Sequence, residues 1–216
     1  MKYQAAIFDL DGTILSSLDD LATSTNHALA LNNMPQRTTD EVRQFVGNGA
    51  RKLIERAVPK NTPIELIDKV QADFNKHYKV HCNDQTRPYD GILDMLTKLR
   101  EQGLKLAVLS NKPDFAVQEI CAISFNGYFD MVAGEIEGIK KKPDSEGVFR
   151  VTDALGVDPK KCVYIGDSDV DILTAINSGM TPIGVDWGFR PRQLLIDTGA
   201  DIIASTPEEL FEKITK

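Results

Sequence analysis

The chain has 216 residues, 42% hydrophobic and 26% charged, with 25 Lys+Arg against 32 Asp+Glu and a formal net charge of −7. That length and composition suit a soluble α/β domain with a modest insertion, and the acidic balance argues against nucleic acid or an anionic membrane surface as a partner. Cys82, Cys121 and Cys162 stand far apart without a C-x-x-C spacing, which suggests neither a disulfide framework nor a thiolate metal site and fits a reducing, cytoplasmic location. Asp9 and Asp11 interrupt the first apolar run too early for a signal peptide, and no stretch approaches the ~20 apolar residues of a membrane span.

Ala5-Ala6-Ile7-Phe8 reads as a buried strand running into Asp9-Leu10-Asp11-Gly12-Thr13. Two carboxylates followed by a glycine that permits a sharp turn belong at the carboxyl end of a parallel strand, where open α/β sheets bind ligands. The pair repels itself and any phosphate, so it makes chemical sense with a bound cation and one carboxylate acting as a nucleophile. From Leu18 to Leu29 the apolar residues recur at helical spacing, with Ser16 or Ser17 as N-cap and Asp19-Asp20 in the first turn.

Shorter helices are expected at residues 40–46, 50–58 and 63–81, the last with Thr62 as N-cap and Pro63 at the first helical position. No strand is expected in this block. It reads as a four-helix module, residues 15–86, inserted into a core of residues 1–14 and 87–216. Beyond Pro88, strands at 104–109, 131–133, 162–165, 182–185 and 202–204 alternate with helices. The pattern predicts a Rossmann-like parallel sheet with helices on both faces.

Two further strand ends carry polar chemistry. Residues 104–109 run into Ser110-Asn111-Lys112, whose hydroxyl, amide and backbone N–H groups suit phosphate oxygens. Residues 162–165 run into Gly166-Asp167-Ser168-Asp169-Val170-Asp171, a second acidic edge, and Lys140-Lys141-Lys142-Pro143 lies between and offers a cation. Together they make an oxygen-rich site suited to Mg²⁺, with a lysine to offset phosphate charge.

Taken in order, Asp9-x-Asp11-Gly12-Thr13, Ser110-Asn111, Lys142-Pro143 and Gly166-Asp167-Ser168-x-x-Asp171 resemble the motifs of the haloacid dehalogenase-like phosphohydrolases, and the helical insertion resembles that superfamily's helical cap. The resemblance implies that Asp9 is the nucleophile and forms an aspartyl-phosphate, with Asp11 as general acid and base. It also implies Mg²⁺ held by the side chains of Asp9 and Asp167 and the backbone carbonyl of Asp11. Ser110, Asn111 and Lys142 hold the transferring phosphoryl group, and Asp171 and Thr13 support them from behind. The acid role requires the Asp11 carboxyl to be raised by acidic neighbours.

Thr13 matches phosphatases of this kind, where hexose-phosphate mutases carry Val. Val46-Gly47-Asn48-Gly49-Ala50-x-x-Leu53 resembles the loop that closes over substrate in phosphoglycolate phosphatases. This makes 2-phosphoglycolate the first substrate to consider, with Gly47 and Asn48 in the closing loop and Arg51 or Lys52 as carboxylate countercharge. The expected partner is a small phosphorylated metabolite and the expected state a monomer or homodimer. Competing readings are a phosphatase for pyrophosphate, a nucleotide or a sugar phosphate, a β-phosphoglucomutase-type phosphotransferase, and a non-enzymatic phospho-receiver module. His77 and His81 beside Cys82 read as packing residues rather than zinc ligands, and Trp187 as a packing or rim residue.

Overall fold

The computed structural model describes residues 2–216. The apolar run after Gln4 forms β1 (Ala5–Phe8), which is buried along its whole length. There follow β2 (Leu15–Ser16), the helices α1 (Leu18–Leu31), α2 (Thr39–Phe45), α3 (Ala50–Ala57) and α4 (Ile64–His81), and β3 (Arg87–Pro88). The remainder alternates: α5 (Ile92–Glu101), β4 (Lys105–Pro113), α6 (Asp114–Ser124), β5 (Met131–Glu135), α7 (Glu146–Leu155) and β6 (Cys162–Gly166). The chain ends with α8 (Asp169–Ser178), β7 (Thr181–Val185), α9 (Arg192–Thr198), β8 (Ile202–Ala204) and α10 (Pro207–Thr215).

Among the described residues the main sheet runs β5-β4-β1-β6-β7-β8, with every pairing parallel. After β1 the chain builds β4 and β5 on one side, then crosses to build β6, β7 and β8 on the other. β1 therefore sits at the topological switch point, and the ends of β1, β4 and β6 open a crevice there. Side-chain alternation divides the strands between two layers. Ala6 and Phe8 join the apolar cluster that includes α5, α6 and α10, whereas Ala5 and Ile7 join the cluster beneath α7 and α8. Leu21, Leu29, Val42, Ile54, Val70 and Phe74 of α1–α4 belong to the first of these clusters, so the helical segment and one face of the sheet share a continuous interior.

Three local details differ from expectation. Pro63 occupies the N-cap position of α4, and the Thr62 hydroxyl donates to the Pro59 carbonyl at 2.7 Å instead of capping the helix. Ser17 stands at the N-cap of α1, but its hydroxyl donates to Asp11 Oδ1 at 2.5 Å. β2 and β3, absent from the sequence reading, pair antiparallel where the chain leaves and re-enters the sheet region, Leu15 opposite Pro88 and Ser16 opposite Arg87. A two-residue pairing carries no periodicity to read. His27, His77 and His81 stack in series with ring centroids 4.0 and 4.3 Å apart between α1 and α4. Among the described residues no helix is long and apolar enough to cross a membrane.

The re-entry point is tied to α1 by one buried carboxylate. Asp20 accepts from the backbone N–H groups of Gln85 (2.9 and 3.1 Å) and Thr86 (2.9 Å) and from the Thr86 hydroxyl (2.8 Å). Asp20→Ala leaves two buried Thr86 donors and the partly covered Gln85 N–H without an acceptor and is expected to cost about 2–4 kcal/mol of stability, measured by urea unfolding, with Asp20→Asn costing less.

Candidate active site

Asp9 follows β1 directly, and its N–H donates to the Ile165 carbonyl at 2.8 Å, which carries the strand geometry one residue further and fixes the carboxylate at the sheet edge. The chain then turns at Gly12, whose φ of +82° favours glycine; a Cβ there would meet the Asp167 carboxylate. Gly188 approaches Asp167 from the other side in the same way. In this cradle Asp167 Oδ1 accepts from the Thr13 hydroxyl (3.1 Å) and Oδ2 from the Phe189 N–H (2.7 Å).

Asp171, in the first turn of α8, accepts from the Ser168 N–H (3.1 Å) and hydroxyl (2.6 Å) through Oδ2 and from Lys142 Nζ (2.7 Å) through Oδ1. Lys142 Nζ also lies 2.9 Å from Asp9 Oδ1. The Asn111 side chain, expected on phosphate, does another job: its amide donates to the carbonyls of Lys142 (3.1 Å) and Gly47 (3.2 Å) and accepts from the Lys142 N–H (2.9 Å). It holds the lysine-bearing loop in place and touches the loop between α2 and α3. Ser110 is buried beside it and accepts from the Lys112 N–H at 3.3 Å.

Besides its acidic neighbour Asp9, Asp11 has a cation against it. Lys112 Nζ donates to Asp11 Oδ1 (2.8 Å) and Oδ2 (3.1 Å) and to the hydroxyl of Tyr78. Burial, partly offset by Lys142, pushes Asp9 from its ordinary 3.8 to about 6. Burial, then the charges of Asp171 and Asp9, push Asp167 well above the carboxylate range. Burial works against the charge of Lys142, but Asp171 and Asp9 overcome it and hold the ammonium far above its ordinary value.

These groups surround one cavity. Its floor is Asp9, Asp11, Ser110, Asn111, Lys112 and Asp167; its roof is Gly47, Gly49, Ala50, Leu53, Phe74 and Tyr78; Phe189 and Arg190 form the rim. The space left for the centres of water-sized molecules is about 50 Å³. Oxygens of Asp9, Asp167 and Asp171 lie within 4.8 Å of one another, a spacing that can hold a metal ion. Both Asp171 oxygens are already occupied, whereas Asp9 Oδ1 is buried without a well-aligned hydrogen bond. Asp167 accepts one hydrogen bond on each oxygen and Asp171 three in all, so Asp9 has the most free lone pairs, and an all-oxygen donor set suits a hard cation.

Arg51 and Lys52, expected to face a substrate carboxylate, do not reach the cavity. Arg51 bonds Glu55 (2.9 Å), Asp68 (2.5 Å) and Gln71 (3.0 Å), and Lys52 bonds Glu55 at 2.6 Å. Asn48 is also turned away, accepting from Arg56 at 2.8 Å, while Gly47 lines the roof. The reason is helical phase: Ala50 and Leu53 share the cavity face of α3, which turns the two intervening side chains elsewhere. The sequence reading missed Tyr78, Lys112, Gly188, Phe189 and Arg190. Lys112 lies inside the Ser110-Asn111-Lys112 segment and Tyr78 inside the helix expected at 63–81, where its spacing reads simply as packing; the segment after β7 carries no motif. Arg190 donates to the carbonyls of Arg43 (2.8 Å), Gln44 (3.4 Å) and Val46 (2.5 Å), at the negative end of α2.

Known proteins similar to this chain are hydrolases of one family. A profile of the haloacid dehalogenase-like hydrolases matches residues 6–185. A phosphoglycolate phosphatase of Agrobacterium fabrum is 33% identical over 97% of this chain and 93% of its own length. An N-acetylmuramic acid 6-phosphate phosphatase of Pseudomonas aeruginosa is 28% identical over 100% of this chain and 96% of its own. Among solved structures, a provisionally assigned phosphoglycolate phosphatase from Lactobacillus delbrueckii subsp. bulgaricus superposes with a TM-score of 0.94 at 38% identity, covering 99% of both chains.

Because the Arg51 guanidinium is committed to Glu55 and Asp68, Arg51→Ala is expected to keep the kcat/KM ratio of a carboxylated to an uncharged phosphate ester within about twofold, and to cost no more than about 1 kcal/mol in thermal unfolding.

Proposed function

The chain belongs to the haloacid dehalogenase-like hydrolase family, and on that premise we propose that it is a Mg²⁺-dependent phosphomonoesterase with Asp9 as nucleophile and 2-phosphoglycolate as its substrate. Its relatives place it among phosphatases acting on phosphoric monoesters. The observation that carries the mechanism is the set of groups at one strand-end crevice: buried Asp9, Asp167 and Asp171 and partly buried Asp11 against the buried Lys112 and Lys142. With two more carboxylates than ammonium groups, the crevice favours a divalent cation.

In the proposed reaction one Asp9 oxygen attacks phosphorus in line with the ester oxygen. The Asp9–phosphorus bond forms as the bond to the leaving oxygen breaks, and Asp11 supplies a proton to that oxygen. A water then attacks the aspartyl-phosphate and gives its proton to Asp11, so that phosphate leaves and Asp9 is restored. Lys142, fixed by Asp171, offsets charge on the phosphoryl group. The side chains of Asp9 and Asp167 with the Asp11 carbonyl are the proposed metal ligands, and Mg²⁺ supplies electrostatic neutralisation of nucleophile and phosphoryl oxygens when bound. We assign residues 15–86 the role of a cap that excludes water over Asp9, supported by the roof contributed by α3 and α4.

Three considerations favour phosphoglycolate. Relatives with near full-length matches carry that name, and the cavity as closed is small. The first turn of α3 abuts it, with Gly49 as N-cap and no side-chain cap on the helix N–H groups; that partial positive charge suits a carboxylate.

The direct test is phosphate release from a panel of esters that includes phosphoglycolate and N-acetylmuramic acid 6-phosphate. Activity is expected with Mg²⁺, to vanish in EDTA, and to fall at least about a thousandfold in Asp9→Asn. Full activity in Asp9→Asn sinks the mechanism, and preference for a sugar phosphate sinks the substrate assignment.

Stability offers a second test. Asp9 rises from 3.8 to about 6 on folding, so between those values the metal-free native state holds more protons than the unfolded chain, and its stability falls as pH rises. Mg²⁺ is expected to raise Tm strongly near neutral pH and weakly near the lower end of that window. Asp167→Asn should raise the metal-free Tm and abolish the Mg²⁺ shift; a wild-type Tm indifferent to Mg²⁺ at both pH values would contradict the metal assignment.

A further inference from the structure

Lys112 is a buried ionised group that the proposed chemistry does not account for: its side chain is 2% exposed. β4 runs to Pro113, whereas its pairing with β1 ends at Val108 opposite Phe8. The strand therefore carries Lys112 past the edge of β1 and up toward the helical roof. There Nζ contacts both oxygens of Asp11 and the hydroxyl of Tyr78, a buried residue of α4. An ammonium has three protons, and these contacts engage all of them, so Lys112 has none to spare for substrate.

A buried ion pair is a costly way to gain stability, since well-packed apolar residues often serve as well. What this one supplies is geometry. Asp11 is gripped by Lys112 from β4 and by Ser17 from the start of α1 (2.5 Å), and the lysine in turn rests on α4 through Tyr78. The Tyr78 oxygen accepts from Lys112, and its phenolic proton has no acceptor among the described residues. Tyr78 lines the cavity roof.

We propose that Lys112 is a positioning residue for Asp11, and that through Tyr78 it makes the working orientation of Asp11 conditional on α4 being docked over the site. The inference rests on the phosphatase reading above, with Asp11 as proton carrier. With the cap helix displaced, Lys112 loses the phenol, and the Asp11 carboxylate loses a fixed neighbour. Proton transfer is then confined to the closed enzyme.

The test is a double-mutant comparison at saturating Mg²⁺, with phosphate release measured as kcat and KM. Lys112→Met is expected to lower kcat at least about tenfold with KM within about threefold, as for loss of an interaction used in the transition state. In an Asp11→Asn background, assayed at high enzyme concentration, the same substitution should change kcat less than about twofold, because residues acting as a unit are not additive. Tyr78→Phe, which keeps the ring packing and so keeps the proposal testable if Lys112→Met does not fold, should lower kcat in the wild-type background and be silent when Asp11 is Asn. Equal fold-losses in both backgrounds, or a loss carried by KM, would overturn the inference; the latter would make Lys112 a substrate ligand. A wild-type enzyme that releases phosphate from no ester defeats the phosphatase reading as well, whereas an active enzyme with additive losses defeats only this proposal.

Discussion

The structure is built around an uncompensated buried charge. Four carboxylates converge at the ends of β1 and β6, and two lysines, from β4 and from the loop before α7, neutralise only part of them. Burial raises both Asp9 and Asp167 above their ordinary ionisation range, so the protein alone does not hold all these groups charged at little cost. A hydrated core could not keep such strain, and a dry one keeps it only if the surrounding backbone is rigid.

The parallel sheet supplies that rigidity. Because β1 lies between β4 and β6, residues far apart in the chain reach one edge. Asp9 extends β1, Ser110 and Lys112 extend β4, and Asp167 follows β6. Close backbone approach at Gly12 and Gly188 leaves room for the Asp167 carboxylate and nothing bulkier than hydrogen on either side. Asn111 then couples this edge to the Lys142 loop and to the Gly47 carbonyl in one side chain.

The helical segment is held over the edge by polar contacts as well as by apolar packing. Arg190 draws in the carbonyl end of α2, and Tyr78 meets Lys112 under α4. Both connections end within the cavity lining, so opening the segment would expose cations in the same movement that admits solvent. Under the proposed mechanism, such coupling of closure to chemistry would shield the aspartyl-phosphate from stray hydrolysis and still release phosphate.

Much of this was legible in the amino-acid order. Alternating strand and helix patterns with polar residues at strand ends specify a parallel sheet and a site at its carboxyl edge, because local periodicity and strand chemistry are properties of short segments. Asp9, Asp11, Ser110, Asn111 and Asp167 could be singled out on that basis, and Lys142 and Asp171 by the family resemblance of their motifs; they meet around one crevice. The two-residue strands β2 and β3 were not legible, having too few residues to show a period.

Side-chain direction at the roof was decided by tertiary structure alone. Arg51 and Lys52 looked like the cations of the site, yet the phase of α3 points them at Glu55 and Asp68, while Lys112 and Arg190 take the positions beside the cavity. The segment Asp9–Thr13 by itself determined that carboxylates would stand at the sheet edge. Which cation stands against Asp11, and that a tyrosine from a distant helix completes the contact, depended on how the helical segment packs over the sheet edge, and that is set by long-range packing that no local pattern encodes.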